Sequence, residues 1–198
     1  MTHGLLMISE RKTQAVEVPA PILWITGLSG SGKSTLATAV VQALRARRAT
    51  PLLLDGDAVR EAFEPEQSNV DHGAAQRLKR AWRLARLARF AASQGVPVVV
   101  ATISLVHSVQ AWNRSGSAPY AEVLLSADIQ VLRLRNPALY GDDMRHPPRH
   151  VVGLDIKAQY PLEPELIIEQ CFDRQYLHEQ VQQTLALWRG LTESQQAA

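Results

Sequence analysis

Gly27-Leu28-Ser29-Gly30-Ser31-Gly32-Lys33-Ser34-Thr35 decides how the rest of the chain is read. An apolar run, Ile22 to Thr26, precedes it, and a helix-like run from Ser34 to Ala46 follows it. This is the G-x-x-x-x-G-K-[ST] pattern in the strand-loop-helix setting that it needs. The glycines let successive backbone N–H groups turn inward around a phosphate, and the helix aims its positive end at the same point. Lys33 can reach the outer phosphates, and the Ser34 hydroxyl can ligate Mg²⁺. Gly27, Ser29, Gly30, Ser31, Gly32, Lys33, Ser34 and Thr35 therefore form a set for binding a nucleoside triphosphate, ATP in the first instance. The loop alone does not say what receives the phosphate.

Working outward, the spacing predicts alternating strands and helices. Strands are expected at Ile22–Thr26, Pro51–Leu54, Pro97–Ile103, Glu122–Leu125 and Leu166–Ile168. Helices are expected at 34–46, 58–63, 74–93, 128–135 and 173–191. Such alternation means an α/β fold, a parallel sheet covered by helices on both faces, with ligands gathered at the carboxyl ends of the strands. In the long helix, Leu78, Trp82, Ala85 and Ala88 mark the inner turns, and Arg77, Lys79, Arg80, Arg83 and Arg86 lie on the other face. That row reads either as a solvated surface or as an anion-binding face. Residues 136–153 are long for a connection, rich in proline and charge, and read as a mobile lid. Residues 1–19 read as a flexible arm, 20–192 as one kinase-like domain and 193–198 as a polar tail.

Composition narrows the class. At 198 residues, 46% hydrophobic and 20% charged, the chain can bury one sizeable core. A net charge of +2 gives no reason to expect nucleic acid or a membrane surface as partner. The single cysteine, Cys171, excludes an intramolecular disulfide and fits a reducing, cytoplasmic compartment; it reads as a small apolar residue. No apolar run approaches a membrane span, and no secretory leader is visible.

Phosphoryl transfer is mostly positioning and charge neutralisation, but a carboxylate is still needed to orient the attacking hydroxyl or take its proton. Asp55-Gly56-Asp57 closes the second strand and can aim both carboxylates inward. Asp55 is the candidate base. Asp57 is the candidate for contacting metal-bound water or Lys33, with helix N-capping as its structural alternative. Lys33, Asp55 and Asp57 are thus the catalytic candidates.

Together, Gly27–Thr35 and Leu54-Asp55-Gly56-Asp57-Ala58-Val59-Arg60 resemble the adenylylsulfate (APS) kinases, whose hallmark is a GLSGSGKST loop followed by LDGDxxR. The similarity continues through Ala101–Ser104, Tyr120–Val123, Leu139-Tyr140 and Tyr160–Leu166, and covers most of the chain. It implies a P-loop kinase fold, ATP and Mg²⁺, phosphorylation of a ribose 3′-hydroxyl, and a homodimer. By position it assigns Arg60, Arg77 and Ser104 to the acceptor nucleotide. With Asp55, His72, Arg80, Ile103 and Val151 these make the expected acceptor set.

The departures lie in the acceptor half. His72 and Val151 stand where the family places two rings around adenine, contacts worth about 1–3 kcal/mol per base by analogy with nucleic-acid stacking. Arg80 replaces an asparagine, Leu105 a proline, and Arg135–Tyr140 a longer lid motif. Ala101–Ser104, Trp112-Asn113-Arg114 and Val151–Asp155 resemble a divergent, capsule-associated branch, one activity of which is phosphorylation of cytidine diphosphoramidate. Three readings follow: a kinase of adenylyl sulfate, the same chemistry on another nucleotide conjugate, or a nucleotide-binding module without transfer. A simple nucleoside or shikimate-type kinase would have no reason to carry DGDxxR.

Overall fold

The computed structural model describes residues 18–64, 73–141 and 150–196. Residues 1–17 of the expected 1–19 arm, His72 and residues 142–149 of the expected 136–153 lid lie outside the described residues. The elements run β1 (Ile22–Gly27), α1 (Lys33–Ala46), β2 (Leu52–Asp55), α2 (Gly56–Phe63), α3 (Ala74–Ser93), β3 (Val98–Thr102), α4 (His107–Arg114), β4 (Tyr120–Ser126), α5 (Ile129–Arg135), α6 (Pro137–Tyr140), β5 (Leu166–Glu169) and α7 (Arg174–Gln196). All five strands are parallel, in the order β2-β3-β1-β4-β5.

Strand alternation divides the core between the two faces. Leu23 and Ile25 of β1 pack with α1 and α7, while Ile22 and Trp24 pack with α3 and α4. The valine-rich β3 is interior, as its composition demands: Val98 to Ala101 are all buried. β2 is an edge strand with Leu54 buried and Leu52 exposed. The register sets Thr26 beside Thr102 and Asp55 beside Ala101, so the phosphate loop and the DGD turn leave the sheet at one edge.

Three further elements differ from expectation. The inner face of α3 is Ala81, Leu84, Ala85, Ala88, Ala91 and Ala92, and Leu78 is exposed. Five alanines and Leu84 make its buried stripe, and these small side chains let the helix lie close to the sheet. α7 runs on to Gln196, past the last apolar turn and into the expected tail. Cys171 is exposed rather than buried.

Trp112-Asn113-Arg114 of α4 belongs to a polar knot at the far end of the sheet from the phosphate loop. Arg114 donates to Glu122 at 2.8 Å and to Glu165 at 2.5 Å. Asn113 donates to the Tyr120 hydroxyl, which donates to Glu122 at 2.7 Å. Arg89 lies 3.4 Å over the Trp112 ring. These contacts fasten α3, α4, β4 and the chain entering β5.

Candidate active site

The phosphate loop is built for close approach. Gly27 has φ 153°, and a Cβ there would collide with the Leu125 carbonyl; Gly32, at φ 96°, caps α1 with no side chain on the first N–H groups. Those donors are left for an anion. Ser31 Oγ is buried with no hydrogen-bond partner. Lys33 is 8% exposed and donates to the Leu28 carbonyl at 2.6 Å across the loop. Burial pushes its pKa down to about 8, against the opposing pull of Asp57 and Asp55. From outside, the buried Tyr140 of α6 donates to the Ser29 carbonyl at 2.8 Å, and burial lifts its own pKa to about 12.

Asp55 joins this loop to the second motif. Its Oδ2 accepts from Ser34 Oγ at 2.5 Å, and its Oδ1 accepts from the backbone N–H groups of Asp57 and Ala58. The cap of α2 is therefore Asp55, not Asp57, because the helix begins at Gly56. Asp57 is exposed and pairs with Arg60 at 2.8 Å; it acts on Lys33 through space rather than by direct contact.

A cleft of about 700 Å³ runs from the phosphate loop to the first half of α3. Gly30, Gly32, Lys33, Ser34, Thr35, Asp55, Asp57, Arg60, Arg77, Arg80, Ile103 and Ser104 all line it, as does Ser29. Ser104 is nearly buried, and its Oγ has no partner. Arg77 donates to the His150 carbonyl at 2.5 Å, and burial together with Arg80 lowers its pKa from the guanidinium range.

Two expectations change here. Val151 does not line the cleft: it is buried against Leu28, Leu105, Leu132 and Tyr140, and Val152 lines the cleft instead. The turn is set by Asp155, which accepts from the His150 and Val151 N–H groups. The arginine row of α3 is partly answered from within the protein. Glu64 accepts from Arg80 at 3.1 Å and from Arg83 at 2.5 Å. Partial burial would raise the Glu64 pKa, but the bonds from Arg83 and Arg80 hold it below the usual carboxylate range.

Several cleft residues had no signal in the sequence. Glu64 stands in a polar run that reads as loop. Lys157 lines the cleft, and among the described residues nothing pairs with its ammonium. Arg135 and Phe172 also line it, the guanidinium carbon 4.0 Å from the ring centroid. Phe172 is the one aromatic side chain on the cleft wall among the described residues. Among those residues there is no cluster of three or more His, Cys, Asp or Glu suited to a metal, and no helix is long and apolar enough to cross a membrane.

The adenylylsulphate kinase family model matches residues 20–169. The chain is 32% identical over 148 residues to a cytidine diphosphoramidate kinase of Campylobacter jejuni, covering 74% of this chain and 84% of the relative. It is 32% identical over 167 residues to an adenylyl-sulfate kinase of Paraburkholderia xenovorans, covering 83% and 90%. The Mycobacterium tuberculosis APS kinase solved with AMPPNP and APS superposes with a TM-score of 0.75 at 28% identity, covering 87% of this chain and 99% of that one. The chain belongs to the adenylylsulphate kinase family: it is a P-loop kinase, a phosphotransferase acting on a hydroxyl group.

Proposed function

We propose that the protein transfers the γ-phosphoryl group of ATP to the ribose 3′-hydroxyl of a nucleotide conjugate, with adenylyl sulfate as the default acceptor. The observation that carries this is the Ser34–Asp55 bond, which brings the phosphate loop and the DGD turn together at the head of one cleft. A hard hydroxyl oxygen beside a carboxylate, with no cluster of three or more His, Cys, Asp or Glu among the described residues, suits Mg²⁺, which keeps most of its waters and takes the rest of its ligands from phosphates. Ser34 would hold it, with Asp55 fixing the Ser34 hydroxyl, and it would neutralise charge on the β- and γ-phosphates.

The chain's own groups supply the remainder. The first N–H groups of α1 and the Lys33 ammonium receive the triphosphate, and the charged form of Lys33 is restored as the phosphates arrive. Ser31 Oγ is available as a further donor. Arg135 and Phe172 offer the flat surface for the base. Asp55, fixed by its bonds to Asp57 N and Ala58 N, takes the proton of the attacking hydroxyl. Arg60, Arg77 and Ser104 face the acceptor, and Lys157 adds a cation on that side. The homodimer and the cytoplasmic setting belong to the same reading; light scattering on purified protein tests the former.

A second acceptor, cytidine diphosphoramidate, is favoured by one specific feature. Val59, Leu78, Ile103, Val152 and Ile156 make the acceptor half aliphatic, with no ring on the wall there among the described residues. A pyrimidine loses less than a purine when stacking partners are absent. The ratio of kcat/KM for the two acceptors, measured at fixed ATP and Mg²⁺, decides between them. A nucleotide-binding module without transfer would show ATP affinity but no turnover with either.

A further inference from the structure

The Gln170 side chain touches three parts of the molecule at once. Its Nε2 donates to the Ser31 carbonyl of the phosphate loop at 3.0 Å. Its Oε1 accepts from the Phe172 N–H at 2.9 Å and from Gln180 Nε2 of α7 at 3.1 Å. Gln180 is 2% exposed, so this last bond is anchored in the core of the helix layer. The contact is also tight: a Cβ on Gly32 would lie 3.0 Å from Gln170 Nε2.

Phe172 itself is held at φ 60°, an uncommon conformation for a bulky residue. Such backbone persists only where the surroundings fix it, and the bond from its N–H to Gln170 is one of the constraints. The ring so presented carries Arg135 on its face. One amide therefore links the loop that receives phosphates to the flat surface that receives a base, and ties both to α7.

We propose that Gln170 is a positioning residue that sets the spacing between the phosphate loop and the Arg135–Phe172 surface, and so couples base recognition to phosphate binding. This rests on the reading that a nucleoside triphosphate occupies that end of the cleft. A ligand that uses both surfaces depends on the spacing. A ligand that uses the loop alone does not.

The test compares ATP with inorganic tripolyphosphate, each measured by calorimetry on the full chain. Gln170→Leu removes all three bonds. Gln170→Glu keeps the two acceptor bonds and loses the donor to Ser31, and Gln180→Leu cuts only the tether to α7. The expected result is that ATP binds about tenfold more weakly to Gln170→Leu, while tripolyphosphate changes by less than about twofold. Gln170→Glu should weaken ATP by at least as much, Gln180→Leu by less, and the KM for the acceptor should stay put in all three. An equal loss for both ligands in Gln170→Leu, or ATP affinity unchanged in both Gln170 variants, overturns the proposal. Should the leucine variant at 170 fail to fold, Gln180→Leu decides it: a loss for ATP that tripolyphosphate does not share supports the proposal, and an equal loss overturns it. Wild-type protein that binds no ATP would instead remove the reading on which the proposal stands.

Discussion

The Ser34 hydroxyl donates to Oδ2 of Asp55 across 2.5 Å, joining the first helix of the fold to the end of the second strand. The remaining oxygen of the same carboxylate caps α2. Both oxygens are thus spoken for, and the direction in which Asp55 faces the cleft is fixed before any ligand enters.

Asp55→Asn should lower kcat by about 10²–10⁴-fold with a much smaller change in the KM for ATP. Asparagine is as good an N-cap as aspartate, so α2 survives, while the amide NH2 standing in for Oδ2 can neither accept from Ser34 nor take a proton. Steady-state kinetics with a circular dichroism control check this. A rise confined to the KM for ATP would move Asp55 to the metal side alone and make Asp57 the base.

Lys33→Ala should abolish transfer and leave the protein folded, since the Lys33 ammonium contacts a loop carbonyl rather than the core. Near-normal turnover in this variant would contradict the placement of ATP.

The Lys33 pKa of about 8 also predicts a pH dependence. The folded value lies below the unfolded one, so the native state gains stability as pH rises from about 8 towards the unfolded value. Binding has the opposite sign, because the phosphates raise the pKa again. Affinity for ATP should be at its full value below pH 8 and fall by up to about tenfold per unit above it. Calorimetry in buffers of different ionisation enthalpy should then show uptake of up to one proton. Proton uptake that persists in Lys33→Ala would assign the linkage to another group.

Lys157→Ala should raise the KM for an anionic acceptor by several-fold, leave the KM for ATP alone, and be partly rescued by Lys157→Arg. Its neighbours are held, since Ile156 N donates to the Val151 carbonyl and Gln159 N to the Leu105 carbonyl, so the backbone presents the ammonium from a fixed place. An equal effect on both substrates would mean that the lysine is not reading the acceptor.

Arg114→Met tests the polar knot. It strands Glu122, which is 1% exposed, and the loss of one partner of a buried pair costs about 3–5 kcal/mol. The arginine itself is a third exposed, which favours the lower end. Chemical denaturation should show the loss while both KM values hold. A changed acceptor preference would connect Trp112-Asn113-Arg114 to the acceptor site.

What was legible in the sequence is what local pattern determines. The loop glycines, Lys33, Ser34 and the DGD turn are each contiguous, and a parallel sheet must bring them to one edge. What was not legible depends on neighbours distant in the chain. Glu64 meets Arg80 and Arg83 only when α3 folds back over α2. Gln170 meets Ser31 only through the β4–β5 pairing. Val151 turns inward because Asp155 closes its turn, so position in a motif was a poor guide to the cleft wall. The cap passed to Asp55 because the helix starts two residues sooner than the run Ala58–Phe63 suggests.

The central claim is that a ribose hydroxyl of a nucleotide conjugate receives the γ-phosphoryl group of ATP. Its most direct test is mass analysis of the product from purified protein, ATP, Mg²⁺ and either adenylyl sulfate or cytidine diphosphoramidate, followed by periodate treatment. The account predicts that at least one acceptor gains a single phosphoryl group and, with its ribose diol blocked, resists periodate. Acceptors recovered unchanged, or a phosphorylated product that periodate still cleaves, would contradict it.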